Sequence, residues 1–179
     1  FCFAPKFPKT ITHEHRLNGA NKETQEFIGM LEKLADGKRL GVSFIQLPPS
    51  FNTNNFDTLK TYFESLPKDF SYAVEPRHIS WFDEGENAKR LDDLLTANEV
   101  DKVIFDSRPL LSDAPDDDDE RDAQERKPNV PVHKTAIGKH PVLRFVGKND
   151  VEKNEQWIKG WAPVINKWIL EKRLPYIFV

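Results

Sequence analysis

Apolar residues along the chain fall into two alternating regimes. Short, nearly uninterrupted apolar runs occupy residues 1–7, 40–47, 70–75, 103–106, 142–146 and 176–179, the pattern of strands buried on both faces. Between them apolar positions recur every three or four residues, the pattern of amphipathic helices. Phe27, Met30 or Leu31, and Leu34 mark a helix over 22–35 with Gly37 as its stop, and Phe56, Leu59, Phe63 and Leu66 mark another that ends before Pro67. A third buries Leu91, Leu94 and Leu95, and a last stretch over 152–173 sets Trp157, Trp161, Ile165 and Trp168 on one side. Pro163 lies inside that stretch and is expected to kink or break it.

Strands alternating with helices at intervals of roughly 30 to 40 residues predict an α/β fold with a parallel sheet built from right-handed crossovers. Two architectures satisfy the pattern. A doubly wound open sheet is one, although the Gly-rich turn that marks nucleotide binding in that fold is missing after the first strand. An eight-stranded (β/α)8 barrel, typically about 250 residues, is the other. The chain opens on an apolar run without methionine and closes on another, Tyr176-Ile-Phe-Val179, which predicts a piece of a longer polypeptide. Such a piece is expected to be poorly stable alone, because it leaves sheet edges unpaired.

Composition narrows the field. At 179 residues, 38% hydrophobic and 31% charged, the chain suits one domain over 1–179 with a full core. A net charge of -3 disfavours a surface basic enough for non-specific nucleic-acid binding. Cys2 is the only cysteine, so neither an internal disulfide nor a cysteine-based zinc cluster can form, and a reducing compartment, the cytoplasm, fits. No apolar run approaches the ~20 residues of a membrane span. His13 and His15 form the only close histidine pair, too little for a metal site, so neither metal nor cofactor is expected.

The chemistry gathers where the predicted strands end. Tyr72-Ala-Val-Glu-Pro-Arg-His-Ile-Ser-Trp81 turns from apolar residues directly into Glu75, Arg77 and His78. Lys6 and His13 follow the first strand, Gln46 ends the second in Gln46-Leu-Pro-Pro49, Asp106-Ser-Arg-Pro109 closes the fourth, and Arg144 sits on the fifth. Each charged residue taken singly is as readily an ion pair that fixes strand register, and His78 beside Trp81 as readily a packed loop histidine. The tryptophans of the last helix read as core.

Several of these motifs, in this order and spacing, resemble the YecE-like family, also called domain of unknown function 72. They are Phe3-Ala-Pro-Lys-Phe-Pro-Lys-Thr-Ile-Thr-His13, Gln46-Leu-Pro-Pro49, Ala73-Val-Glu-Pro-Arg-His78 with Trp81-Phe82, and Asp106-Ser-Arg-Pro109. Arg121-Asp-Ala-Gln-Glu-Arg-Lys-Pro128 with Val130-Pro-Val-His133, and Leu143-Arg-Phe-Val-Gly147, resemble the YecE branch. The resemblance implies a (β/α)8 barrel, of which this chain would hold strands three to eight without the first two strand-helix units and the last helix. Val146 stands where many members carry histidine in an Arg-x-His-Gly stretch, so no role of that histidine carries over.

In such a barrel the strand C-termini form the functional face. The expected site has Glu75 and Asp106 as acid and base with His78 as a proton-transfer candidate. Lys6, His13, Gln46, Arg77, Arg108 and Arg144 would bind a small phosphorylated or carboxylated substrate. A nucleic-acid-binding or repair-type phosphodiesterase barrel and a non-catalytic scaffold are the alternatives. The acidic run from Asp113 to Glu120 reads as a solvated loop, on the right face to serve as a lid over the site.

Overall fold

A computed structural model describes residues 1–83 and 85–179. After a π-helical turn at Thr10–Glu14 the chain forms helix α1 (Asn21–Asp36), strand β1 (Ser43–Gln46), α2 (Phe56–Ser65), β2 (Tyr72–Glu75), α3 (Glu86–Ala97) and β3 (Val100–Asp106). A short α4 (Arg108–Leu111), α5 (Asp118–Arg126), β4 (Val142–Phe145), α6 (Glu155–Leu170) and β5 (Tyr176–Phe178) follow. The strands make one five-stranded parallel sheet in the order β1-β2-β3-β4-β5, each joined to the next through helices. Among the described residues, no helix is long and apolar enough to cross a membrane.

The period-two alternation of strand side chains separates the molecule into an outer and an inner layer. Ile45, Leu47, Tyr72, Val74 and Val100 pack outward against Phe27, Leu31, Leu59, Phe63, Leu91 and Leu95 of α1 to α3. Ile104, Leu143 and Phe145 pack outward against Trp161 and Trp168 of α6. The opposite face holds Val42, Ala73, Val103 and Val142, with Ala4, Phe44 and Tyr176 against them. The sheet curls into a half-barrel around this inner layer. The ring of Phe178 on β5 comes within 6.1 Å of Phe44 on β1. Gly41, just before β1, has no side chain because a Cβ there would lie 2.8 Å from Cε1 of Tyr176 and 3.0 Å from the carbonyl oxygen of Phe3.

Two expectations change. Residues 1–7 do not form a sixth strand: they run beside β1 through two isolated parallel bridges, Phe3 to Leu40 and Lys6 to Phe44. The rung between them falls at Pro5, which has no N–H to donate. Pro163 does not break α6, which runs unbroken from Glu155 to Leu170. Pro163 and Lys159, whose carbonyl loses its helical partner, are both exposed, so that oxygen is not left in an apolar interior.

The acidic segment is also more ordered than a solvated loop. Asp117 caps α5 by accepting the Glu120 N–H at 2.8 Å, while the Glu120 carboxylate accepts the Asp116 N–H at 2.9 Å and the Asn149 N–H at 2.7 Å. Glu120 and Lys148 are both buried, with Lys148 Nζ 3.3 Å from the carboxylate and donating to the Ala114 carbonyl at 2.8 Å. Lys153 takes Asp116 at 2.6 Å and Asn149 takes Asp117 at 2.8 Å. The acidic end of the segment is thus occupied by its own partners, and its other end, at Arg126 and Lys127, approaches the strand C-termini.

Candidate functional site

Alternation assigns Gln46, Glu75, Phe105 and Arg144 to the inner face, each at or near the C-terminal end of its strand. There Glu75 is fully buried and anchors the other polar groups. Gln46 Nε2 donates to one carboxylate oxygen at 2.9 Å, and a guanidinium N–H of Arg144 donates to the other. Arg77, two residues past β2, lies with Nε 3.6 Å from the first oxygen, close enough for charge pairing and too far for a hydrogen bond. The Arg144 guanidinium is seated between the rings of Phe44 and Phe105, at 5.6 and 5.4 Å from their centroids. It is held in place from three directions.

Above this anchor lies a cleft of about 480 Å³, lined by Lys6 from the N-terminal segment, Arg77, Arg144, Phe105 and Gln46 from the sheet, and Ala123, Arg126 and Lys127 from the end of α5. Its lining carries five cationic side chains and no carboxylate, the nearest being the fully buried Glu75 that holds Arg77 and Arg144. Arg126 meets part of its demand on Asp122 at 3.1 Å, whereas the Lys127 and Lys6 ammonium groups have no hydrogen-bond or ion-pair partner among the described residues. Arg77 Nε is buried and unpartnered as well. Leaving such a donor unsatisfied costs about 1–3 kcal/mol. Burial lowers the proton affinity of Arg77; Glu75 opposes this and Arg144 adds to it. Lys127 is likewise lowered, first by burial and then by Arg144 and Arg77, against the pull of Glu75.

His13 belongs to the same field. Burial first, then Lys6, Lys9 and Arg77, hold its pKa below the ordinary 6.5, so the ring is neutral at neutral pH. Its Nδ1 lies 2.8 Å from Thr12 Oγ1. His78 does something else: its Nδ1 accepts the Ser80 N–H at 3.2 Å and caps the turn Ile79–Phe82, outside the cleft lining.

Asp106 does not meet Glu75, and the expected acid–base pairing is not formed. Asp106 shares the parity of Ile104 and points outward into the helix layer, fully buried. There it accepts Nε and an N–H of Arg108 at 2.9 and 2.8 Å and Nε1 of Trp161 at 2.7 Å. Burial pushes its pKa up, but the Arg108 and Trp161 hydrogen bonds outweigh burial and hold it below the ordinary 3.8. Arg108, stacked 5.2 Å over Trp157, is committed to this outer cluster. The structure therefore brings together Lys6, Gln46, Glu75, Arg77 and Arg144 with His13 nearby, and leaves Asp106, Arg108 and His78 elsewhere. It adds Arg126 and Lys127, whose basic pair before Pro128 was a readable signal at the end of the excursion after β3. Among the described residues no group of three or more His, Cys, Asp or Glu side chains is gathered within metal-holding range.

Comparison with known proteins agrees with this architecture. The family described as protein of unknown function DUF72 matches residues 1–179. The UPF0759 protein YecE of Escherichia coli is 36% identical over 179 residues, which are 100% of this chain and 64% of that protein. The chain thus spans about two thirds of the length of that relative. A DUF72 family protein from Thermotoga maritima superposes with a TM-score of 0.72 at 23% identity, covering 99% of this chain and 66% of that one. One from Enterococcus faecalis gives 0.70 at 21% identity, with coverage of 99% and 67%. At these identities the solved structures speak for the fold alone.

Proposed function

The chain belongs to the DUF72 family of proteins of unknown function, and from that premise we propose that its curled sheet is part of a (β/α)8 barrel whose strand C-termini bind a small phosphorylated or carboxylated compound. Arg77 and Arg144 are the anion clamp, Lys6 and Lys127 add charge from the rim, and Glu75 with Gln46 holds the guanidinium forks in position. The observation that carries this reading is the buried, unpartnered Nε of Arg77 beside a cleft with surplus cations. A guanidinium whose Nε–H lacks an acceptor, and whose other donation is a long one to the Arg126 carbonyl at 3.5 Å, favours an oxyanion in a partly desolvated cleft. The volume exceeds that of a bare anion and lies within the ~300–1,000 Å³ of small-molecule pockets.

Calorimetric titration with inorganic phosphate, sugar phosphates, dicarboxylates and short oligonucleotides tests the reading. One small-anion class binds the wild type, and Arg77→Gln weakens that binding at least about tenfold, in line with loss of a charge-assisted hydrogen bond. Equal affinity in Arg77→Gln refutes the assignment. Binding of oligonucleotides alone replaces the ligand with a phosphodiester chain.

A further inference from the structure

The chain holds few buried lysines, and their circumstances differ. Lys148 is consumed by Glu120 and the Ala114 carbonyl, and Lys102 by Asp92 at 2.5 Å. Lys127 is half-buried, lines the basic cleft, and has no hydrogen-bond or ion-pair partner among the described residues. Its backbone is fixed on both sides. The Lys127 N–H closes α5 on the Ala123 carbonyl at 2.9 Å, and the next carbonyl, of Pro128, accepts Ser107 Oγ at 2.9 Å. Pro128 further confines Lys127 to an extended backbone, observed at φ -84 and ψ 138. From this fixed backbone the Lys127 amine lines the same cleft as Arg77 and Arg144, with the two arginines outweighing the pull of Glu75.

Lysines become nucleophiles at neutral pH when desolvated beside other cations, because the neutral amine is then favoured. We propose that Lys127 is the nucleophilic amine of this cleft and that it takes an anionic aldehyde or ketone as a Schiff base, the anion being seated on Arg77 and Arg144. The lowered proton affinity of Lys127 agrees with that role. In the reaction the Nζ lone pair forms the C–N bond, the carbonyl π pair moves to oxygen, and proton transfer gives a carbinolamine. Loss of water then leaves the imine, so amine and carbonyl yield imine and water with no oxidation or reduction. The inference rests on the anion-binding reading above, which supplies the orientation.

Pyridoxal phosphate, an aldehyde with a phosphate, is a suitable probe. The full chain is incubated with it, reduced with borohydride, and the modified lysines are quantified by peptide mass spectrometry. Unphosphorylated pyridoxal, competition with inorganic phosphate and the variant Lys127→Arg complete the set. Lys127 is expected to be labelled about tenfold faster than the exposed Lys22 and Lys159, since both the neutral-amine fraction and the local probe concentration are raised there. Phosphate suppresses that excess, pyridoxal lacks it, and Lys127→Arg abolishes it. If Lys127 reacts no faster than the surface lysines while calorimetry still records phosphate binding, the nucleophile is refuted and the anion site stands. A fast, phosphate-protected adduct persisting in Lys127→Arg moves the amine to Lys6 and refutes it equally. If phosphate neither binds nor protects, both readings fall together.

Discussion

Glu75→Gln separates the two roles a buried carboxylate in a basic cleft can play. Glu75 is fully buried, and its partners Arg77 and Arg144 have side chains only 12% and 23% exposed. Removing the carboxylate charge leaves two guanidiniums facing each other with little water. Breaking a buried pair costs about 3–5 kcal/mol, and the partial exposure of Arg144 brings the expectation down to about 2–4 kcal/mol of folding stability. Anion binding moves the other way. A ligand anion on the outer edges of the forks would stand about 6–8 Å from Glu75, where repulsion at an effective dielectric of about 20 is on the order of 2–3 kcal/mol. Looser forks return about 0.5–1.5 kcal/mol for each side chain that must be reordered. Relief of repulsion exceeds one such penalty, so Glu75→Gln is expected to melt lower yet bind phosphate about tenfold more tightly, a gain of ~1.4 kcal/mol. Thermal denaturation with and without phosphate, paired with calorimetry at low and physiological salt, reads both quantities. A variant that is destabilised and also binds phosphate more weakly would show that Glu75 acts mainly by ordering the forks, and would refute the charge argument.

Further expectations follow from other parts of the fold. Asp106 has a folded pKa below its unfolded value, so its contribution is present above the unfolded pKa near 3.8 and is lost as pH falls through the folded value. Asp106→Asn should therefore lower stability by about 1.5–3 kcal/mol at neutral pH, with the gap to wild type closing in acid denaturation below that range; a gap that persists at low pH contradicts the assignment. Gly41→Ala should destabilise by about 1–3 kcal/mol, because its Cβ would meet Tyr176 and the Phe3 carbonyl, and an unchanged melting temperature would contradict the curled contact between the sheet edges. Lys38 is exposed and left-handed at φ 53 in the turn into β1, so Lys38→Gly should stabilise by up to about 1 kcal/mol in chemical denaturation; a loss would mean that the extra freedom of the unfolded chain dominates.

Periodicity made the helices legible: Phe27, Leu31, Leu59, Phe63, Leu91 and Leu95 are buried where their spacing requires. Strand parity was harder to read. From Val103 to Phe105 every residue of β3 is buried, so alternation does not reveal a face, and Asp106 was free to be read as a partner of Glu75. Its kinship with Ile104 emerges only once Trp161 is packed against it. The α5 segment was obscured by composition. A run of acids reads as solvated, yet Asp117 with Glu120 three residues on is a capping signal, and the partners that bury Glu120 come from the distant Lys148 and Asn149. The basic pair Arg126-Lys127 before Pro128 stands in the sequence, but only the return of α5 over the strand ends places Lys127 beside Arg77 and Arg144.

The most direct test of the anion site is the Nε–H resonance of Arg77, followed by nitrogen–proton correlation spectroscopy while inorganic phosphate is added. The proton that now lacks an acceptor should move strongly downfield and saturate with the calorimetric affinity, and the signal and its response should vanish together in Arg77→Lys. Saturating phosphate that leaves this resonance in place while shifting others would put the anion elsewhere and contradict the account.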